Sequence, residues 1–365
     1  MPAGARGIVI DLNGATLMQD IDAYTIGAAY PLYNTPERRH LVLPMRGTPR
    51  RGDTAVELTP GTPPPRPGTL VMLAAGNTVE RYWSPVAEMQ IVTEVNGAAV
   101  HFDRPLAKSY HPFGKAWFGG AMPYGLFDLT DLHARDIALV GPGRIVNDWR
   151  AAGYFPQVLG MRMAGVTCEG RAGMILRGRD LAVEDCLATI RADWNPRLYR
   201  PMNLAFDTGS SHVRVRNFTA TAQEGMSFLH LHEALADVDI RGLRIVNTRT
   251  FDPRAEHPGA IDIRAGSWNV TIDGAHLTNN PQGAGITAIA SELGAGGNRN
   301  LTLKNVVIDG DFLQYPVIVK DTDTVVIEGF DVSRATYRTP RHGKTKLNLL
   351  GPHIRASEVT GDGPA

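Results

Sequence analysis

Four short stretches, "MILRG", "LAFDTGS", "FLHLHEA" and "AIDIRAGS", set Arg177, Asp207, His230 and His232, and Asp262 and Arg264 among alternating apolar neighbours. Histidine supplies a base near neutral pH, arginine a permanent cation, and aspartate an acid, a base or a metal ligand according to its protonation. Eliminative cleavage of a uronate needs a cation against the carboxylate, which acidifies the ring proton, and a base to remove that proton. Arg264 or Arg177 could serve as the cation, and His232 or His230 as the base. Hydrolysis instead needs a carboxyl acting as acid and a second carboxylate, and Asp207 with Asp262 is the obvious pair. Uronate epimerisation begins with the same proton abstraction as elimination.

These residues can act together only if the chain stacks them, and a repeat provides the means. The pattern apolar, any, apolar, any, then Gly, Asn or Asp occurs at Ile10, Ile137, Met161, Leu181, Val213, Val238, Val270, Leu301, Val325 and Leu347. From Ile137 onward the starts lie 20 to 32 residues apart, the length of one supersecondary unit. Alternation of period two predicts strands. The fifth position (Gly14, Gly141, Gly165, Asp185, Asn217, Gly242, Gly274, Asn305, Gly329, Gly351) is where the chain must turn through left-handed conformations. Leucine-rich repeats compete for this spacing, but their regular leucines and asparagine ladder are absent. One coil cannot bury its inner face alone, so the sequence predicts a solenoid of parallel strands stacked about 4.8 Å apart.

Composition limits the alternatives. With 43% hydrophobic and 20% charged residues the chain reads as soluble and globular, and 37 basic against 37 acidic residues leave no net field to draw it to nucleic acid or anionic lipid. No run of eighteen apolar residues predicts a membrane span, and "MPAGARGIVIDLNG" lacks a signal peptide's apolar stretch. Cys168 and Cys186 fall at inward positions of adjacent coils, where buried free thiols are expected.

"AIDIRAGSWNVTIDGAHLTNN", Ala260 to Asn280, resembles the coils of the right-handed parallel β-helix superfamily that includes pectate and pectin lyases, polygalacturonases and bacteriophage tailspikes. Residues 133 to about 335 carry the resemblance, and Ile10 to Leu17 carry one further coil. It implies an all-β fold of about ten coils, and an extracellular or phage- or cell-surface location. It also implies three strands per coil, the repeated phrase being the second strand, its turn and the third. The first strand then lies upstream, with Met174 and Leu176, Leu204 and Phe206, Leu229 and Leu231, and Ile261 and Ile263 pointing inward. The residues between them face solvent and form two columns: Arg177, Asp207, His232, Arg264, and Ile175, Ala205, His230, Asp262. Active sites of the superfamily lie on this sheet, whereas a ladder of surface salt bridges is the bland alternative.

In these columns Asp207 and Asp262 stand two coils apart, roughly 12 Å by strand spacing, beyond the roughly 6.5–9.5 Å of inverting hydrolases. The balance leans toward a lyase, with hydrolysis, epimerisation of a uronate or work on a small metabolite as alternatives, and a loop carboxyl such as Glu256 able to rescue hydrolysis. Long excursions after three third strands supply cleft walls. Trp194 and Tyr199 could stack on sugar rings, Arg197, Arg200 and Arg254 could pair with carboxylates, and Glu256 and His257 are reserve groups. No cofactor is implied: two aspartates among cations make a poor calcium site, and zinc on His230, His232 and Asp262 would require both histidines to lean inward.

The expected organisation is a first coil at 1–17, a small β insertion at 18–130, the β-helix at 131–356 and a tail at 357–365. The insertion holds a hairpin turned at Asn96 and Gly97, and an aromatic tail, Tyr110 to Phe127, that packs beneath it or lines a sugar cleft. No capping helix precedes Ile10. Asn217, Asn269 and Asn300 begin N-x-[ST] triplets that read better as β-helix turn and strand residues, and "GAGITAIASELGAGG" carries no nucleotide-binding pattern. The resemblance implies a carbohydrate partner, and the charge balance and the absence of long apolar runs predict neither a nucleic-acid nor a membrane partner. The tailspike resemblance leaves a homotrimer open, and a non-catalytic glycan-binding module or a purely structural solenoid remain the competing classes.

Overall fold

Eight of the ten turn positions read from the sequence take the left-handed conformation; Gly141 and Gly351 do not. Gly14, Gly165, Asp185, Asn217, Gly242, Gly274, Asn305 and Gly329 all take positive φ, between 51° and 82°. A second column, just before the second strand, does the same with Asp180, His212, Asp237, Asn269, Asn300 and Thr324. The side chains of these corner residues bond from coil to coil: Asn269 Nδ2 donates to Asp237 Oδ1 at 3.0 Å and Asn300 Nδ2 to Asn269 Oδ1 at 2.9 Å. Asn and Asp thus do two jobs, accepting the left-handed conformation and tying the corners together.

The computed structural model describes residues 5–19, 26–27, 42–75, 86–110, 125–128, 133–190, 202–207, 209–222, 229–231, 235–247, 259–264, 266–280, 283–289, 298–320, 322–338, 345–351 and 353–362. Among them there is no α-helix, and the parallel strands stack in three faces of a right-handed β-helix. In the second-strand face Leu181, Val213, Val238, Val270, Leu301, Val325 and Ile354 are successive partners. In the first-strand face the series is Met174, Leu204, Leu229, Ile261, Ile286, Val317 and Leu347. One element, Ala134–Glu184, is long enough to run through several corners. The inward residues of all three faces form one continuous core that contains Cys168 and Cys186, both free and buried. Each fully buried aliphatic side chain in it contributes about 1.5–3 kcal/mol of transfer free energy.

The two end matches of the repeat shift in register. Ile8, not Ile10, pairs with Ile137, because the alternation of the first coil continues one residue pair further upstream. Leu347 belongs to the first-strand face, where it pairs with Val317, and Ile354 continues the second. The domain limits move accordingly. Thr16–Gln19 and Ile26–Gly27 still pair with the next coil, and Ile354–Thr360 pairs with Thr322–Asp331 in place of a free tail.

The insertion is a closed antiparallel barrel whose strands run in the order Val42–Arg46, Ala55–Leu58, Ala99–Phe102, Val86–Asn96, Leu70–Ala75 and Gly125–Asp128. Its hairpin turns at Gly97 and Ala98, one residue beyond the expected pair, since Asn96 still pairs with Ala99. Tyr110 is buried in the barrel's own core, so this member of the aromatic tail packs and does not line a cleft; residues 111–124 lie outside the described set. The barrel lies against the first corner of successive coils. Arg135 donates to Gly68 O at 3.0 Å, Arg179 pairs with Asp103, Arg104 with Ser211 and Asp237, and the guanidinium of Arg51 sits 4.3 Å from the ring centre of Trp268.

Candidate functional site

The first-strand face is set by short runs whose inward members, Met174 and Leu176, Leu204 and Phe206, Leu229 and Leu231, Ile261 and Ile263, are all buried in the core. That anchoring fixes which residues point the other way. Ile175, Ala205, His230 and Asp262 are consecutive backbone partners, and the series continues to Thr287 and Ile318. Asp207 follows Phe206, and its N–H donates to Leu176 O at 2.8 Å, which places it beside Arg177 on the preceding coil.

The outer face is not the open ridge that alternation alone predicts. Arg177 is only 1% exposed and Asp262 2%, while Ile175, Ala205 and Thr287 are also buried. For Arg177 the reason is the barrel: Met72 packs over it, with its Sδ 3.0 Å from Nη2. A guanidinium enclosed in this way is a junction residue and not the exposed substrate cation expected of it. Asp207 and Arg264 are half-buried and keep part of their surface in solvent.

Asp262 is held at both oxygens. Arg264 Nε donates to Oδ2 at 2.8 Å and Thr287 Oγ1 donates to Oδ1 at 2.9 Å. A carboxylate accepting at both oxygens has no proton to offer, so the expected acid role of Asp262 is replaced by that of an anchor for Arg264. The ion pair links residues two apart on one strand, whereas stacking predicts contacts between coils. Asp207 accepts from Tyr154 Oη at 3.5 Å. Tyr154 and Thr287 escape the sequence reading for different reasons. Thr287 would follow from extending the column by one coil through "AGITAI", whereas "AAGYFPQ" lacks the repeat pattern that would register Tyr154.

His230 is described for its backbone alone, where it lies between Ala205 and Asp262. His232, Trp194, Arg197, Tyr199, Arg200, Arg254, Glu256 and His257 lie outside the described residues. Among the described residues no three His, Cys, Asp or Glu side chains converge as metal ligands, and no helix is long and apolar enough to cross a membrane.

No family model matches the chain, and no curated protein matches it. Among solved structures, the tailspike protein gp49 from Pseudomonas phage LKA1 is similar with a TM-score of 0.53 and 12% identity, over 99% of this chain and 71% of that one. The tailspike gp61 of Pseudomonas phage phi297 gives 0.46 and 14%, covering 98% and 63% of the two chains. The gp54 tailspike of Acinetobacter baumannii bacteriophage AP22, solved in complex with A. baumannii capsular saccharide, gives 0.38 and 8%, covering 98% and 61%. The likeness is one of fold: the chain is a parallel β-helix.

Proposed function

We propose that this protein binds and cleaves an acidic glycan over the outer face of its first-strand sheet, by β-elimination. The observation that carries the reading is register. Ala205, His230, Asp262 and Thr287 are stacked partners, and Asp207 and Arg264 stand two residues beyond Ala205 and Asp262 at the part-exposed margin of the same face. The fold shared with a phage tailspike supports a saccharide as the ligand.

In this reading Arg264, oriented by Asp262, faces the substrate carboxylate and draws charge from the adjacent ring carbon. His230 or His232 takes the proton from that carbon. Its electron pair forms the ring double bond, the bond from the neighbouring carbon to the glycosidic oxygen breaks, and the departing oxygen takes a proton from solvent. Hydrolysis by Asp207 and Asp262 is less well supported, because Asp262 is already engaged at both oxygens.

The test is incubation with a panel of acidic and neutral polysaccharides, following ultraviolet absorbance of unsaturated uronate and reducing ends in parallel. Elimination produces both signals. Reducing ends without the absorbance would replace it with hydrolysis, and silence in both would leave a binding module.

A further inference from the structure

The outer surface of a β-helix is normally polar, yet Ala151, Ala172, Ile175 and Ala205 form an apolar cluster on the outside of the first-strand face, separate from the core. Tyr154 packs against this cluster. Its backbone is placed by the pairing of Gly153 with Ile26 and of Tyr154 with Gly27. Gly153 allows the strand to lie close: a Cβ there would sit 2.6 Å from Met174 Cε and 2.9 Å from Ile26 Cγ2. Met202 packs on the cluster as well, and its four members are covered, so what this patch leaves in solvent is part of Tyr154 and of Met202. The hydroxyl reaches Asp207 Oδ2 at 3.5 Å, and Tyr154 stays half-buried while Ile175 and Ala205 are covered.

We propose that Tyr154 is a substrate-contacting residue, the aromatic platform of a sugar-binding position beside Asp207. The inference rests on the saccharide reading of the first-strand face and names one position within it. A pyranose has one face of C–H groups, which suits an aromatic ring, and a rim of hydroxyls, which suits a carboxylate. Tyr154 and Asp207 offer those two chemistries within one hydrogen bond of each other. The ring has few ways to move, because the apolar cluster supports it.

The experiment is native gel electrophoresis through gels cast with polygalacturonate, alginate or dextran, with thermal unfolding run on each variant. Wild-type protein is expected to be retarded by at least one acidic polymer. Tyr154→Ala should lose about tenfold in apparent affinity, the scale of one aromatic contact, and Tyr154→Phe should keep most of it. If Tyr154→Ala melts early, Tyr154→Leu covers the same patch without a ring and should show the same loss. Retardation of Tyr154→Ala or Tyr154→Leu equal to wild type overturns the platform and leaves the saccharide reading intact. A wild-type protein that none of the polymers retards or reacts with overturns the saccharide reading itself, and the platform with it.

Discussion

Arg179 of the β-helix donates two guanidinium N–H groups to Asp103 of the barrel, at 2.9 and 2.5 Å, while the next barrel residue, Arg104, reaches back to Asp237 at 3.4 Å. Adjacent residues of the barrel thus exchange opposite charges with the helix, which fixes orientation as well as attachment. The Arg179 side chain is 5% exposed, whereas Asp103 lies at the exposed margin of the junction and keeps the Ile91 N–H when the guanidinium is removed. Arg179→Ala should lower unfolding stability by about 1 kcal/mol, since solvent screens the carboxylate that remains, and open the barrel junction to limited proteolysis, measured by urea titration and timed digestion.

The same pair has a pH signature. Burial by itself would raise the Asp103 carboxyl, but the hydrogen bonds from Arg179 and from the Ile91 N–H, with the Arg179 and Arg104 charges, outweigh it and hold the carboxyl below its ordinary value. A depressed carboxyl contributes stability that is present above the unfolded value near 3.9 and is lost as pH falls through the folded value. Wild-type protein should lose stability relative to Asp103→Asn below about pH 4, read from denaturation curves at successive pH values.

Lys108 gives the opposite window. Burial lowers it to about 8, against the partial opposition of Glu88 and Asp237. Between that value and the unfolded value near 10.4 the unfolded chain binds more protons, so stability rises with pH. The stability of wild type relative to Lys108→Met should climb from about pH 8 to about pH 10.4 and stay level below. A flat difference across that range would contradict the burial of a chargeable amine.

Arg264 serves both the fold and the proposed chemistry. Arg264→Ala should abolish eliminative turnover and cost about 3 kcal/mol, because Asp262 would remain buried without its cation. Asp262→Asn added to Arg264→Ala should restore part of the stability and none of the turnover. Recovery of activity in that double variant would remove Arg264 from the reaction.

Backbone crowding differs sharply between glycines. A Cβ on Gly170 would lie 1.8 Å from Asn147 O, a contact backbone atoms cannot relieve, whereas one on Gly14 would meet nothing within 4 Å. Gly14, at φ 82°, carries only the left-handed preference. Gly14→Ala should cost about 1 kcal/mol, and Gly170→Ala several times more or the fold itself, by thermal unfolding.

The stacked architecture was legible because its signals are local and repeated. Alternation marked the inward residues, and Asn, Asp and Gly marked the corners. Most fifth-position residues turn as read, Asn217 and Asn305 among them, while Gly141 and Gly351 do not take the left-handed conformation. The column Ile175, Ala205, His230, Asp262 could be read by aligning four runs on their buried neighbours. What alternation cannot report is what lies over a face. Alternation makes Arg177 an exposed residue, and nothing in "MILRG" encodes the barrel's Met72, some hundred residues earlier in the chain, that covers it. Alternation likewise leaves Asp262 available, because its tie to Thr287 comes from the next coil, whose run "AGITAI" lies beyond the four aligned stretches. The closed barrel was visible only as a hairpin, since its other pairings join segments of unlike pattern.

The insertion point also sets an order of assembly. Arg6–Asp11 and Ile26–Gly27 pair with residues of Ala134–Glu184 that lie on the far side of the whole barrel in the chain. Joining them while the intervening chain is loose closes a long loop before any contact offsets its entropy. A barrel that folds first brings the two flanking segments near each other, since Val42 pairs with Phe127, so Arg6–Asp11 becomes the last strand of this pairing to dock. Pulse-labelled hydrogen exchange during refolding should find amides of Leu70–Ala75 protected before those of Arg6–Asp11; the reverse order would mean that the solenoid pairs across the insertion before the barrel forms.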